Sequence, residues 1–183
     1  MDKKEAIRKK FFLKRKRNYF EIDEKFFIPL IKLIKDKKLN RNLSISFYFP
    51  SSYEINVLKI LDLEFFKRFD FFLPAIENKH SMNFYKWKKN DILILNKYGV
   101  PEPLKSIKKI PSIILVPLLS FDENKNRVGY GKGFYDKYLN KYLKSKKKIL
   151  TVGVAFSFQK HHKLPVNDND FRLDYVITEK GII

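Results

Sequence analysis

The chain has no cysteine at all and only six glycines among its 183 residues. Without cysteine there can be no disulfide, no thiolate nucleophile and no cysteine metal site, a pattern expected of a cytoplasmic protein. No apolar run approaches the ~20 residues that a membrane-spanning helix needs. The basic N-terminus "MDKKEAIRKKFFLKRKRN" has no apolar segment behind it, so it does not read as a signal peptide. Also missing are a Walker A string, a Rossmann G-x-G-x-x-G, an RNP-like string, zinc-finger spacing and a basic heptad region. The usual nucleotide and nucleic-acid motifs therefore give no guidance.

What is abundant is apolar and basic. The hydrophobic fraction is 44%, and 18 Phe with 10 Tyr can fill a sizeable core, which excludes a disordered chain. The net charge of +19 is spread over lysine-rich patches at 3–17, 32–38, 86–89, 105–109 and 141–148. Such a charge fits nucleic acid or small anions. A coding bias that also enriches Ile, Asn and Phe would produce it without any binding role.

Apolar spacing predicts a basic helix over 3–20, with Ile7, Phe11 and Phe12 toward one side, and more helix over 21–39 with Pro29 starting its second part. A β-rich run at 43–49 ends at Pro50. Ser52 is expected to cap a helix over 54–68, and 71–76 and 82–87 read as two short strands. Residues 91–104 break at Gly99, Pro101 and Pro103 and read as an irregular surface loop. The run at 110–119 suits a strand buried on both faces, followed by a glycine-rich turn and a helix over about 133–144. Strands are expected at 147–156 and 174–181. This alternation predicts an α/β fold, a single three-layer domain over 1–183 with a mostly parallel central sheet and helices on both faces.

Half of the glycines, Gly129, Gly131 and Gly133, fall inside five residues of "FDENKNRVGYGKGFYDKYL". In a parallel sheet, ligands bind beyond the carboxyl ends of the strands. Glycines there let backbone N–H groups turn toward an anion, and the next helix adds its dipole. Lys132 and Arg127 can place charges on a phosphate, and Asp136 lies where it could hold a magnesium ion. An ordinary tight turn, with Asp136 complementing the helix dipole, explains the same residues.

The string closely resembles the signature of the 5-formyltetrahydrofolate cyclo-ligase (methenyltetrahydrofolate synthetase) family, roughly FDxxGxRLGxGxGYYDxxL. Other landmarks occur in family order: Lys4 and Arg8 in "KEAIR", Glu54 in "YEINV", then "MNFYKW", "GVPEP", "GVAFSFQ" and "LPVNDNDFRLDYVITEKGI". The resemblance covers nearly the whole chain. It implies conversion of 5-formyltetrahydrofolate and ATP to 5,10-methenyltetrahydrofolate, ADP and phosphate, with Mg2+. It also implies that the formyl oxygen is phosphorylated before the ring closes. Carried over by position, Lys4, Arg8 and the loop Arg127, Val128, Gly129, Tyr130, Gly131, Lys132, Gly133, Phe134 and Tyr135 would bind ATP. Arg127, Lys132 and Tyr135 would be catalytic. Folate would meet Arg8, Phe49, Glu54, Tyr98 and Tyr130 to Phe134, with Glu54 accepting from the amino-pyrimidine ring. Asp136 and Asp170 would hold magnesium.

Alternatives stay open at this level. Lys4 and Arg8 could be a solvated helix face, Glu54 a first-turn helix acid, and Asp170 a turn cap. Asp174 could be structural. His161 and His162 resemble a metal pair, but neighbours on a strand face opposite ways. Phe134 stands where the family has tyrosine, Asn169 where it has histidine and Val57 where it has threonine. Asn126 replaces a glycine and tolerates a left-handed turn. The expected partners are small-molecule substrates, with polyglutamylated folate attractive to a basic surface, and the protein is expected to be a monomer. A folate-binding relative without turnover and a basic nucleic-acid-binding protein are the competing functions. The latter needs one continuous basic face, and the enzyme needs a cleft.

Overall fold

The computed structural model describes residues 2–39, 43–79, 81–143 and 149–183. Its centre is a seven-stranded sheet. Five strands run parallel: β1 (Ser44–Ser46), β2 (Asp70–Asn78), β6 (Ile113–Pro117), β9 (Leu150–Val154) and β10 (Tyr175–Thr178). The edges are antiparallel, closed by β3 (Ser81–Lys86) beside β2 and β11 (Gly181–Ile182) beside β10. The order is β11-β10-β9-β6-β1-β2-β3. The mostly parallel α/β architecture read from the alternation is therefore present.

Side-chain alternation divides the core into two layers. On β6, Ile113 and Leu115 face one cluster and Ile114 and Val116 the other. The first layer is covered by Leu30 and Ile34 of helix α2 (Ile28–Asp36), which has Pro29 in its first turn. The second is covered by Tyr138 and Leu139 of helix α3 (Phe134–Leu143). Gly153 in β9 leaves no room for a side chain, because a Cβ there would lie 2.7 Å from Leu173 and 2.8 Å from Leu118. Residue 144 of the helix expected over about 133–144, and 147 and 148 of the following strand, lie outside the described residues.

Helix α1 (Lys3–Asn18) is capped by Asp2, which accepts from the Lys4 amide at 3.1 Å, and its last turn is basic. Its inward face is not the apolar stripe expected. Phe11 is buried, Ile7 and Phe12 are half-buried, and Lys4, Arg8 and Arg15 share the face of Phe11. Their spacing of four, three and four residues puts three cations on one side of the helix.

Two expected elements differ. Residues 54–68 form two short 3-10 segments, Val57–Asp62 and Glu64–Phe66, with Asn56 rather than Ser52 as the cap. The extended backbone of Leu63 separates them, and Ser52 has a φ of 49°, not the extended backbone of an N-cap. Residues 91–104 contain a hairpin, β4 (Leu93–Leu95) with β5 (Pro101–Pro103), turned by Asn96 and Gly99. Asn96 Oδ1 accepts from the amides of Tyr98 and Val100, an Asx turn that supplies the missing strand signal.

A second hairpin also intervenes between β6 and the glycines. β7 (Ser120–Phe121) pairs with β8 (Arg127–Val128), and buried Asp122 organises their turn. Its carboxylate accepts from the Asn126 amide and side chain, both at 3.0 Å, and from the Leu164 amide at 3.1 Å. The left-handed residue is Lys125, with φ 63°, not Asn126.

Candidate active site

The carboxyl ends of β1 and β6, the β4–β5 hairpin, the start of α1 and the glycine loop surround one cleft of ≈ 620 Å³. Every residue proposed from the sequence lines it. Lys4 and Arg8 come from α1, Phe49 and Glu54 from the turn after β1, and Tyr98 from the hairpin. Arg127 to Asp136 form one continuous wall, and Asp170 closes it.

The glycines have separate reasons. Gly131 and Gly133 take φ values of 92° and 68°, the left-handed region that a side chain disfavours. A Cβ on Gly131 would also stand 3.1 Å from the Arg8 guanidinium carbon. At Gly129 it would meet the Arg127 guanidinium at 3.2 Å. The loop is therefore shaped to let two arginines lie against its backbone, and Arg8 Nε donates to the Gly129 carbonyl at 3.1 Å. The turn ends in the first turn of α3, where the Lys137 amide donates to the Gly133 carbonyl.

Charges in the wall are paired. Arg127 meets Asp136 at 2.7 Å, and Asp136 also accepts from the Phe171 amide. Lys4 pairs with Asp170, which caps the turn at Asn167 as well. Arg8 is held by Glu5 at 2.9 Å. These contacts show that Lys4 and Arg8 are not a freely solvated face. Lys132 remains exposed, with its ammonium 5.4 Å from the Tyr98 ring centroid across the cleft mouth.

Glu54, from the turn after β1, faces Tyr130 of the loop. It is buried, and its carboxylate accepts from the Ser51 amide at 2.9 Å and the Ser51 hydroxyl at 3.3 Å. It is no first-turn helix acid, since the 3-10 segment starts three residues later. Burial raises its pKa above the ordinary carboxylate value, opposed by Arg15 and by the Ser51 and Tyr130 donors. Desolvation, then the Glu54 charge, raises the Tyr130 and Tyr135 hydroxyls too. The Tyr135 hydroxyl is buried and makes no hydrogen bond among the described residues, which leaves a donor for a bound molecule.

Two further residues escaped the sequence reading, Glu102 in the cleft lining and Arg15 behind it. Arg15 is 1% exposed and reaches the Glu54 turn from α1, and its place in the Lys4, Arg8 spacing was the signal. Glu102, in "GVPEP", is buried and accepts from the Ile76 amide at 2.9 Å and from Asn96 at 2.7 Å, fastening the hairpin to β2. Asp174 accepts from Thr151 twice and is structural. His161 and His162 lie in a loop, His161 against Phe11, and among the described residues no group of three or more metal-binding side chains occurs. Asp136 and Asp170 supply two carboxylates already facing cations. That donor set suits magnesium, which binds through one or two carboxylates with phosphate oxygens and water completing its shell.

Comparison with known proteins matches this geometry. The model of the 5-formyltetrahydrofolate cyclo-ligase family fits residues 1–179. A probable 5-formyltetrahydrofolate cyclo-ligase of Schizosaccharomyces pombe is 30% identical over 145 residues, 71% of each chain. The 5-formyltetrahydrofolate cyclo-ligase of Mycoplasma genitalium is 29% identical over 179 residues, 95% of this chain and 96% of its own. The solved 5,10-methenyltetrahydrofolate synthetase of Aquifex aeolicus superposes with a TM-score of 0.76 at 28% identity, over 98% of this chain and 91% of that one. With the cleft, the glycine loop and these similarities together, the chain belongs to the 5-formyltetrahydrofolate cyclo-ligase family of enzymes.

Proposed function

We propose that the protein converts 5-formyltetrahydrofolate and Mg-ATP to 5,10-methenyltetrahydrofolate, ADP and phosphate. The observation that carries this reading is one cleft with a cation-rich glycine loop on one wall and buried Glu54 on the other. The loop suits a triphosphate. Its left-handed glycines expose backbone, and Lys4, Arg8, Arg127 and Lys132 surround it with charge. Glu54, presented as a carboxylate by Ser51, Arg15 and Tyr130, suits the donor edge of an amino-pyrimidine ring.

The chemistry needs positioning more than a protein nucleophile. An amide-like formyl oxygen is a poor leaving group. It attacks the γ-phosphorus of ATP, the bond to the β-phosphate oxygen breaks, and ADP leaves. The neighbouring folate nitrogen then adds to the activated carbon, and phosphate departs with the former formyl oxygen. Lys132 and Arg127 neutralise charge on the transferring group, and the free Tyr135 hydroxyl donates toward it. Asp136 and Asp170 would hold magnesium, which would supply charge screening to the phosphates. Phe134 places a ring where the family has a tyrosine, so the hydroxyl at that position is not required by this account.

Protein incubated with 5-formyltetrahydrofolate and Mg-ATP should generate the near-ultraviolet absorbance of methenyltetrahydrofolate. Folate binding without any ATP-dependent signal at micromolar enzyme would identify instead a non-catalytic relative. A concave site for these anions, not a flat basic face, is also what separates this reading from nucleic-acid binding. A cytoplasmic, monomeric enzyme acting on polyglutamylated folate is the remaining part of the proposal, and a KM that rises with salt would support the anionic tail.

A further inference from the structure

Arg15 is a buried cation that forms no salt bridge among the described residues, although its charge reaches Glu54. Its guanidinium donates from Nη1 to the Leu118 carbonyl at 3.2 Å, at the end of β6, and from Nη2 to the Ser52 carbonyl at 2.8 Å. Nη2 also meets the Tyr130 hydroxyl, and the Tyr130 ring centroid lies 5.6 Å from the guanidinium carbon. The Ser52 carbonyl belongs to a strained turn, because Ser52 and Tyr53 take φ values of 49° and 64° without being glycine. That turn carries Glu54, whose carboxylate is aimed into the cleft and held by Ser51.

We propose that Arg15 is a positioning residue, its one guanidinium fixing the strained Ser51–Glu54 turn to Tyr130 of the glycine loop and so joining the two walls of the cleft. Hydrogen bonds to the two carbonyls keep the cation in place; without it the Ser52 carbonyl loses this donor, while the Leu118 carbonyl keeps the Gln159 side chain at 3.1 Å. The groups facing Glu54 are Arg15 from α1, Tyr48 after β1, Tyr130 from the loop, Tyr135 from α3 and the Ser51 donors. Arg15 is the cation among them that acts on Glu54, opposing the burial that favours its protonated form. The Tyr130 contact means that displacement of the glycine loop also disturbs the Glu54 turn. The consequence for substrate rests on reading Glu54 as the folate-recognising group.

The test has two readouts. Titration of the Glu54 carboxyl by 13C NMR in unliganded protein, assigned with Glu54→Gln, needs no turnover. Arg15→Met and Arg15→Gln should both move its midpoint upward, while Arg15→Lys holds it close to the parent value. Steady-state kinetics should show KM for 5-formyltetrahydrofolate raised ~10-fold or more in Arg15→Gln, with kcat changed less. The acidic limb of its pH profile should shift to higher pH, because the carboxylate is then lost sooner as pH falls. An unmoved Glu54 midpoint in the neutral variants overturns the positioning role. A moved midpoint with unchanged KM upholds it and overturns the folate role of Glu54. Arg15→Gln keeps a polar amide donor at that position, so it tests the charge even if Arg15→Met does not fold.

Discussion

Arg127 and Asp136 face each other at 2.7 Å across the base of the glycine loop, with only 4% of the arginine side chain exposed. The pair joins β8 to α3 and sets the width of the turn between them. Removing Asp136 alone strands a buried guanidinium, so Asp136→Asn should lower unfolding free energy by ~1–3 kcal/mol in urea titrations. Arg127→Met with Asp136→Asn should be closer to the parent than the sum of the two single changes. Strict additivity would show that the pair does not act as a unit.

Lys132 separates chemistry from stability. Its ammonium is exposed and touches only the Tyr98 ring among the contacts described. Lys132→Ala should leave the melting temperature nearly unchanged, as exposed substitutions do. Turnover should fall by at least ~10-fold through lost charge neutralisation. Parent-like turnover would remove Lys132 from the phosphate site.

The glycines differ in a way that substitution can resolve. Gly99 and Gly131 both have positive φ, at 71° and 92°, but a Cβ at Gly99 meets nothing within 4 Å. Either change to alanine carries a backbone penalty of ~1–2 kcal/mol. Gly131→Ala must also push Arg8 aside, so its KM for ATP should rise far more than that of Gly99→Ala. Equal kinetic effects would mean that the Arg8 contact has no part in the loop.

Much of this site was readable because its parts are local. The glycine string, Lys132, Asp136 and the flanking helix lie in one stretch, and turn chemistry is written in adjacent residues. Arg15 was hidden because a buried cation on a basic helix looks like one more solvated lysine or arginine. Its burial depends on Leu118, Ser52 and Tyr130, which come from distant parts of the chain. The same cause explains the missed β4–β5 hairpin, whose prolines and short strands look like loop until Glu102 fastens them to Ile76. Residues 54–68 misled in the opposite direction. Their helical apolar spacing is real, but the extended Leu63 lets the segment pack as two 3-10 turns.

Glu54 should show a conflict between stability and binding. Burial raises its pKa, so the folded protein holds that proton more tightly than the unfolded chain does. Ionised Glu54 therefore opposes folding above its raised pKa, and the opposition fades as pH falls through that value. Glu54→Gln should melt higher than the parent at pH 7.5, with the gap narrowing as pH falls through the raised pKa toward the ordinary carboxylate range. Its KM for folate should nonetheless rise. A gap independent of pH would show that the carboxyl is not desolvated as described.

The most direct measurement of the proposed reaction follows one oxygen atom. 5-Formyltetrahydrofolate labelled with 18O in the formyl group is turned over with Mg-ATP, and the inorganic phosphate is analysed by mass. Phosphorylation of the formyl oxygen predicts one 18O in each phosphate released, in step with methenyltetrahydrofolate formation. Ring closure with unlabelled phosphate would contradict the proposed intermediate, and labelled folate left unchanged in the presence of ATP would contradict the assigned activity.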